Sequence, residues 1–287
     1  MGDLLQVWQF AVPVALAAIG ESVAQRSGVL DIGLEGKMLG AAFGGVAVAM
    51  QTGNPWLGLL AGALVGVAMA VMQGWFVLKL AADQVVVGTA MNLLALGVTG
   101  TLFKNMYGQS GQLLTVPGIP RAGGVDAVMV FTLLMAPVLW LALKRTTWGL
   151  VVRAAGEYPK AAEAEGFRVE KLRLGVCCLA GGLAGIAGAY LSLGLAGSFA
   201  ENMTAGRGFV AIALVTFGRW NPILVILAAM LMGYLDLLQF KFQAQGLAVP
   251  FQLMLALPYV VALVVLVLAG KGTLAPAALG QPYKRGQ

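Results

Sequence analysis

Residues 28–39 read GVLDIGLEGKML. Asp31, Glu35 and Lys37 stand there among glycines at 28, 33 and 36, between two long apolar runs. Charge and loose backbone inside so greasy a chain pose the question on which the fold turns. Composition decides the solvent first. The 287 residues are 60% hydrophobic and 10% charged, with a mean hydropathy of +0.87, whereas soluble domains carry about 25% charged residues. Residues 85–103, 174–200 and 246–270 contain no charged residue, and each approaches or exceeds the ~20 residues that cross a bilayer. The chain reads as an all-α, polytopic transmembrane bundle, a single domain over 1–287 with about eight to ten spans.

The apolar windows fall at 4–20, 38–50, 56–78, 85–103, 125–143, 174–196, 208–218, 222–240 and 250–270. Two are short, 38–50 and 208–218, and each follows a polar, glycine-bearing segment, DIGLEGK or ENMTAGRG. Broken or re-entrant helices are expected at both. Non-helical backbone survives at membrane depth only where protein buries it or a cavity wets it.

An internal repeat is visible. NPWLGLLAGALVG at 54–66 aligns with NPILVILAAMLMG at 221–233, sharing Asn-Pro at the start and Gly66/Gly233 at the end. The shared Asn-Pro favours duplication over chance likeness of two apolar helices. The second copy comes five spans after the first, an odd step, so the copies should run in opposite directions, as in inverted-repeat transporters. A re-entrant 208–218 would reverse that result. Gly58, Gly62 and Gly66, with Gly181, Gly185 and Gly188, form small-residue strips that let helices approach closely in lipid.

Several functions are excluded by what the chain lacks. It has no histidine, and its two cysteines, Cys177 and Cys178, are adjacent in an apolar run, so no Cys/His zinc site can form. No metal and no cofactor is expected. AGKGT at 269–273 lacks the phosphate-loop spacing, so ATP hydrolysis is not expected in this chain. Asp31, Glu35, Glu201 and Asp236 lie in unrelated segments, a poor basis for intramembrane catalysis. The first charge is Asp3, not the basic start of a cleavable signal. The net charge of +6 reads as topology rather than nucleic-acid binding. Lys144, Arg145, Arg153, Lys160, Arg168, Lys171 and Arg173 concentrate in 144–173, which marks that loop as cytoplasmic.

Within this loop Pro159 suits a first helical position, Glu157 lies near the positive end and Gly166 is a natural stop. A short helix over 159–165 is expected, too short to stand alone in water. Either it lies on its own bundle or it is a knob inserted into a partner.

Several segments carry a resemblance. GLEGKMLGAAFGG (33–45), RAAGEYPKAAEAEGF (153–167) and ENMTAGRGFVAIALVTFGRWNP (201–222) resemble the signature segments of ABC-importer permeases of the branched-chain amino acid/ribose/simple-sugar family. RSGVLDIGLEGKML, ADQVVVGTAMNLLALGVTG and the terminal APAALGQPY are similar to its nucleoside (guanosine) subgroup. The resemblance covers nearly the whole chain. It implies a transport subunit rather than an enzyme, in a bacterial cytoplasmic membrane. It also implies partners: two cytoplasmic ATPase subunits or a tandem ATPase, a second related permease and an extracytoplasmic substrate-binding lipoprotein. Gly156, Glu157, Tyr158, Pro159, Ala162 and Gly166 would form the ATPase-coupling segment. Two positions depart from the family pattern: Asp31 stands where Asn is usual, and Tyr158 replaces the Asn of GENP. A simple-sugar permease is the nearest alternative, and an ion-coupled secondary transporter, which would need no docking loop, a more distant one.

Substrate-path candidates are Asp31, Glu35, Asn92, Glu201, Asn202 and Arg207. Asp31 and Glu35 share a face if the segment is helical, and Lys37 is then expected to reach the headgroups. The pair reads either as an ion cluster fixing a helix break or as a polar lining. Asn92 reads equally as a lining residue or as an interhelical hydrogen-bonding group. Arg219 and Trp220 read as an interface anchor, and Asp236 as the partner of a neighbouring helix or of the second permease.

Overall fold

The computed structural model describes residues 2–108, 116–244, 256, 259–261, 263–264, 267 and 275–283. Ten α-helices are defined among them: α1 Gly2–Arg26, α2 Leu34–Thr52, α3 Pro55–Gly74, α4 Gln84–Tyr107, α5 Ala127–Arg145, α6 Thr147–Glu157, α7 Pro159–Ala164, α8 Val169–Tyr190, α9 Arg207–Phe217 and α10 Pro222–Ala244. The ends of α3 and α8 widen into π-helical turns, Trp75–Lys79 and Leu191–Ala196. Six of the helices are long and apolar enough to cross a membrane. Most of the window expected at 250–270 lies outside the described residues.

Local chemistry sets the helix starts. Asn54 Oδ1 accepts from Trp56 N at 2.9 Å and Asn221 Oδ1 from Ile223 N at 3.1 Å, each with proline next in the chain. The Asn-Pro pair of the repeat is thus the same device used twice: a side-chain cap followed by a residue that needs no N–H. Asp83, Asp126 and Thr146 cap α4, α5 and α6.

The repeat is larger than the sequence reading found. The offset that carries Pro55 to Pro222 also carries Gly2 to Val169, the first residues of α1 and α8. One unit is therefore α1–α2–α3 and the other α8–α9–α10. They pack by exchange: α3 lies on α8, α10 lies on α1, and α1 and α8 meet in the centre. All three pairings are antiparallel. At the α1–α8 crossing, Arg173 Nε donates to Ser27 O at 2.9 Å, joining the end of α1 to the start of α8. At the α1–α10 crossing, Lys241 meets Asp3 at 2.8 Å while Arg26 donates to Trp220 O at 3.2 Å. At the α3–α8 crossing, Gly58 faces Leu193 and Gly74 faces Leu174. The two units run in opposite directions, as the odd step between the copies anticipated.

The glycine strips do the packing. A methyl group on Gly66 would run into the Gly181 carbonyl, and one on Gly185 into the Gly62 carbonyl. In lipid no hydrophobic drive pulls helices together, so close van der Waals contact has to.

Of the two spans expected to be short, one needs correction. The window at 38–50 is the middle of a 19-residue helix, Leu34–Thr52, and the break lies before it, at residues 27–33. The second short helix, Arg207–Phe217, does have 11 residues. It follows a turn in which Asn202, Ala205 and Gly206 take positive φ.

Candidate functional site

The opening stretch turns into α2 through a non-helical segment, and its charges part company there. Asp31 lies in the break, Glu35 in the first turn of α2. They do not share a helical face. Asp31 Oδ2 pairs with Lys37 Nζ, and both are almost fully buried. Lys37 therefore does not reach the headgroups. Removing a lysine from water costs several kcal/mol, and the carboxylate six residues back offsets it. Glu21, on α1, sits behind this pair: its Oε1 accepts from Asp31 N at 3.1 Å and from Gln25 Nε2 at 2.8 Å. Gln84 Oε1 accepts from Leu30 N at 2.7 Å.

Glu35 does something different. Its two carboxylate oxygens accept from Gly206 N at 2.8 Å and Gly208 N at 2.6 Å, at the start of α9. The first N–H groups of a helix have no partner within it, and the helix dipole favours an anion there. Glu35 supplies both. A Cβ on Gly208 would overlap the Glu35 backbone, so only glycine lets the two broken helices approach so closely. The N-termini of α2 and α9, one from each repeat, are thus tied together by one side chain.

Asn92, on α4, performs the same service for α2. Its Oδ1 accepts from Gly36 N at 2.7 Å and its Nδ2 donates to Ile32 O at 2.9 Å. These are interhelical hydrogen bonds between α4 and the start of α2. Glu201 is half exposed and pairs with Lys104 at 3.4 Å. Asn202 sits in the turn before α9 with φ of 57°. Arg207 pairs with Asp236 of α10 at 3.6 Å, so Asp236 has its partner within this chain. Together they line a cavity of about 270 Å³ with Val14, Gln239, Phe240, Gln243 and Tyr259. Tyr259 donates its hydroxyl to Ala205 O. Of the six path candidates, only Arg207 lines this cavity. Asp31, Glu35 and Asn92 hold the break together.

Trp220 is not an interface anchor. It is buried, its indole donating to Gln25 Oε1 at 2.8 Å. Positive φ at Arg219 and Trp220 turns the chain sharply between α9 and α10.

The basic loop holds more structure than expected. α6 precedes the short helix, so 159–164 is not isolated. Glu157 closes α6 rather than opening α7, and its Oε2 accepts from Ala277 N at 3.2 Å. Tyr158 is exposed, Pro159 opens α7, Ala162 is buried beneath it, and Gly166 leaves it with φ of 88°. Gly156 packs against the Arg26 carbonyl, where no side chain fits. These residues share one corner, and the corner leans on the end of α1.

Sequence reasoning missed Glu21, Gln25, Gln84 and Arg173. A lone acid inside the apolar α1 was the available signal for Glu21. Arg173 looked like one more basic loop residue, yet it is buried, donating to Ser27 O and, at 3.0 Å, to Ala155 O. Among the described residues no group of three or more Cys, Asp or Glu could hold a metal.

Among the described residues the protein is a helical membrane bundle of two inverted three-helix units, each with a break before its middle helix, an architecture frequent in membrane transporters. The sequence matches the family described as branched-chain amino acid transport system / permease component over residues 4–270, and the chain belongs to that family. It is 32% identical to the guanosine ABC transporter permease protein NupQ of Bacillus subtilis, over 97% of this chain and 95% of that one. It is 30% identical to the nucleoside ABC transporter permease protein NupC of Lactococcus lactis, over 96% and 94%. A Haloferax volcanii protein provisionally named glucose ABC transporter permease TsgC13 is 37% identical over 84% and 77%. The chain is therefore a multi-pass permease of the cytoplasmic membrane and not an enzyme. It works in a complex with separate ATPase and substrate-binding partners.

Proposed function

We propose that this permease translocates nucleosides into the cell. The observation that carries this reading is the end-to-end likeness to NupQ and NupC, which spans at least 96% of this chain. The cavity at the start of α9 is consistent with it. Arg207, Asp236, Gln239 and Gln243 offer hydrogen-bonding groups beside the rings of Phe240 and Tyr259. A nucleoside presents a base edge, a π-face and ribose hydroxyls to such a wall. A simple-sugar permease is the second reading, favoured by the higher identity to the Haloferax protein.

The family implies the rest of the machine. Two ATPase subunits or a tandem ATPase would bind on the cytoplasmic side, and the basic character of loop 144–173 supports a cytoplasmic corner. Gly156, Glu157, Tyr158, Pro159, Ala162 and Gly166 would form the coupling segment, with Tyr158 the ring presented outward. A second, related permease would complete the pathway, and an external lipoprotein would deliver substrate. The test is uptake of labelled guanosine, ribose and glucose by cells carrying or lacking the whole transporter. Guanosine uptake that depends on this chain and that unlabelled sugar does not compete away supports the reading. Uptake of sugar alone overturns the nucleoside assignment in favour of the second reading.

A further inference from the structure

The terminal APAALGQPY, residues 275–283, lies across both the α6–α7 corner and the break after α1. Ala278 N donates to Gly156 O at 2.8 Å, inside the corner. Two residues on, Gly280 N donates to Gly28 O at 3.1 Å, inside the break after α1. Ala277 N donates to Glu157 Oε2 at 3.2 Å, and the Tyr283 hydroxyl donates to Glu163 on α7. Arg173 closes the junction, bonding Ser27 O and Ala155 O while its guanidinium lies 5.7 Å from the centre of the Tyr283 ring. The Ala278 side chain is buried.

We infer that residues 275–283 are a positioning strap for coupling, which joins the α6–α7 corner to the break that leads into α2. This rests on the reading of the corner as the ATPase-coupling segment. The physical need is plain. A six-residue helix such as α7 cannot hold its own shape or place. Through the strap, a push on the corner reaches Gly28, then Asp31 and Lys37, then Glu35 and the start of α9. Gly280–Gly28, Asp31–Lys37 and Glu35–Gly206/Gly208 are direct contacts, the chain itself joins Gly28 to Asp31 and Lys37 to Glu35, and energetic coupling travels through packed, hydrogen-bonded networks of this kind. The strap also leaves the outer side of the corner free. A groove of about 600 Å³ opens between Tyr158–Ala161 and Gln281–Tyr283, and Tyr158 stays 72% exposed.

The test uses the complete transporter in proteoliposomes, with uptake and ATP hydrolysis measured side by side. The variants are a deletion of 275–287, Ala278→Pro, which removes the N–H given to Gly156, Tyr283→Ala, and Tyr283→Phe, which keeps the ring over Arg173. The strap predicts that Ala278→Pro and Tyr283→Ala assemble and hydrolyse ATP within about two-fold of wild type, while solute moved per ATP falls about ten-fold. Tyr283→Phe should recover part of that loss. A merely structural role would lower uptake and hydrolysis together and leave their ratio unchanged, which overturns the inference. Should the deletion fail to assemble, the point variants decide alone. If the wild-type complex moves a sugar instead of guanosine, the same ratio is read with the sugar, so the substrate and the strap fail separately. A wild-type complex that hydrolyses ATP but moves neither overturns the transport reading and the strap with it.

Discussion

Lys37→Met and Asp31→Asn should differ sharply, although they remove the two halves of one ion pair. Glu21, Asp31 and Lys37 are 0%, 2% and 1% exposed, and Glu21 accepts from the Asp31 backbone N–H. The cluster thus holds two acidic side chains and one lysine. Lys37→Met leaves two buried acids without a counter-charge, and breaking a buried pair in this way costs about 3–5 kcal/mol. Asp31→Asn leaves one acid and one base, keeps an acceptor oxygen for Lys37, and should cost about 1 kcal/mol. For a chain of this size a kcal/mol is worth roughly 2–4 °C. Lys37→Met should therefore lower the unfolding temperature of the purified permease by on the order of 10 °C, and Asp31→Asn by a few degrees at most. Asp31→Asn/Lys37→Met, which leaves Glu21 the one acid of the cluster, should fall between them. The assay is thermal unfolding in detergent followed by tryptophan fluorescence, with monodispersity checked before heating. Equal losses in the two single variants, or a larger loss in Asp31→Asn, would falsify the charge balance.

Three further perturbations probe other parts of the fold. Glu35→Gln puts an amide nitrogen against one of the two N–H donors of α9, and an orphaned buried donor costs about 1–3 kcal/mol; reduced thermal stability is expected, and stability equal to wild type would refute the tie between α2 and α9. Gly66→Ala forces α3 off α8 against the Gly181 carbonyl, an overpacking cost of about 1–3 kcal/mol, read as lower yield of folded protein in membranes than the control Gly97→Ala, whose Cβ meets nothing. Arg207→Gln leaves Asp236 without its ion pair at the cavity wall; uptake should fall more than ten-fold with membrane expression unchanged, and uptake within two-fold of wild type would remove Arg207 from the pathway.

Legibility followed physical range. The spans could be read because lipid imposes length and hydropathy on each helix separately. The Asn-Pro repeat was readable because a cap is a contact between residues two apart. The partners of Asp31, Glu35 and Lys37 were illegible for the opposite reason. Helical spacing put Asp31 with Glu35, but the break comes between them, and their partners are Lys37 on one side and glycines more than 170 positions away on the other. Asn92 and Asp236 likewise had two readings until the neighbouring helix was in place. Trp220 looked like a headgroup-level ring because the sequence does not show Gln25 waiting for its N–H.

The sequence by itself therefore determined that this protein lives in a bilayer, that it is helical and duplicated, and that it resembles an importer permease without an engine. Those properties are written in composition, in short-range capping and in long motifs. Only the tertiary structure decided which groups the charges of the opening stretch meet. A buried charge acquires its meaning from whatever is brought against it. Here those groups are an ammonium six residues on, the N-terminus of a helix from the opposite repeat, and a tail from the far end of the chain.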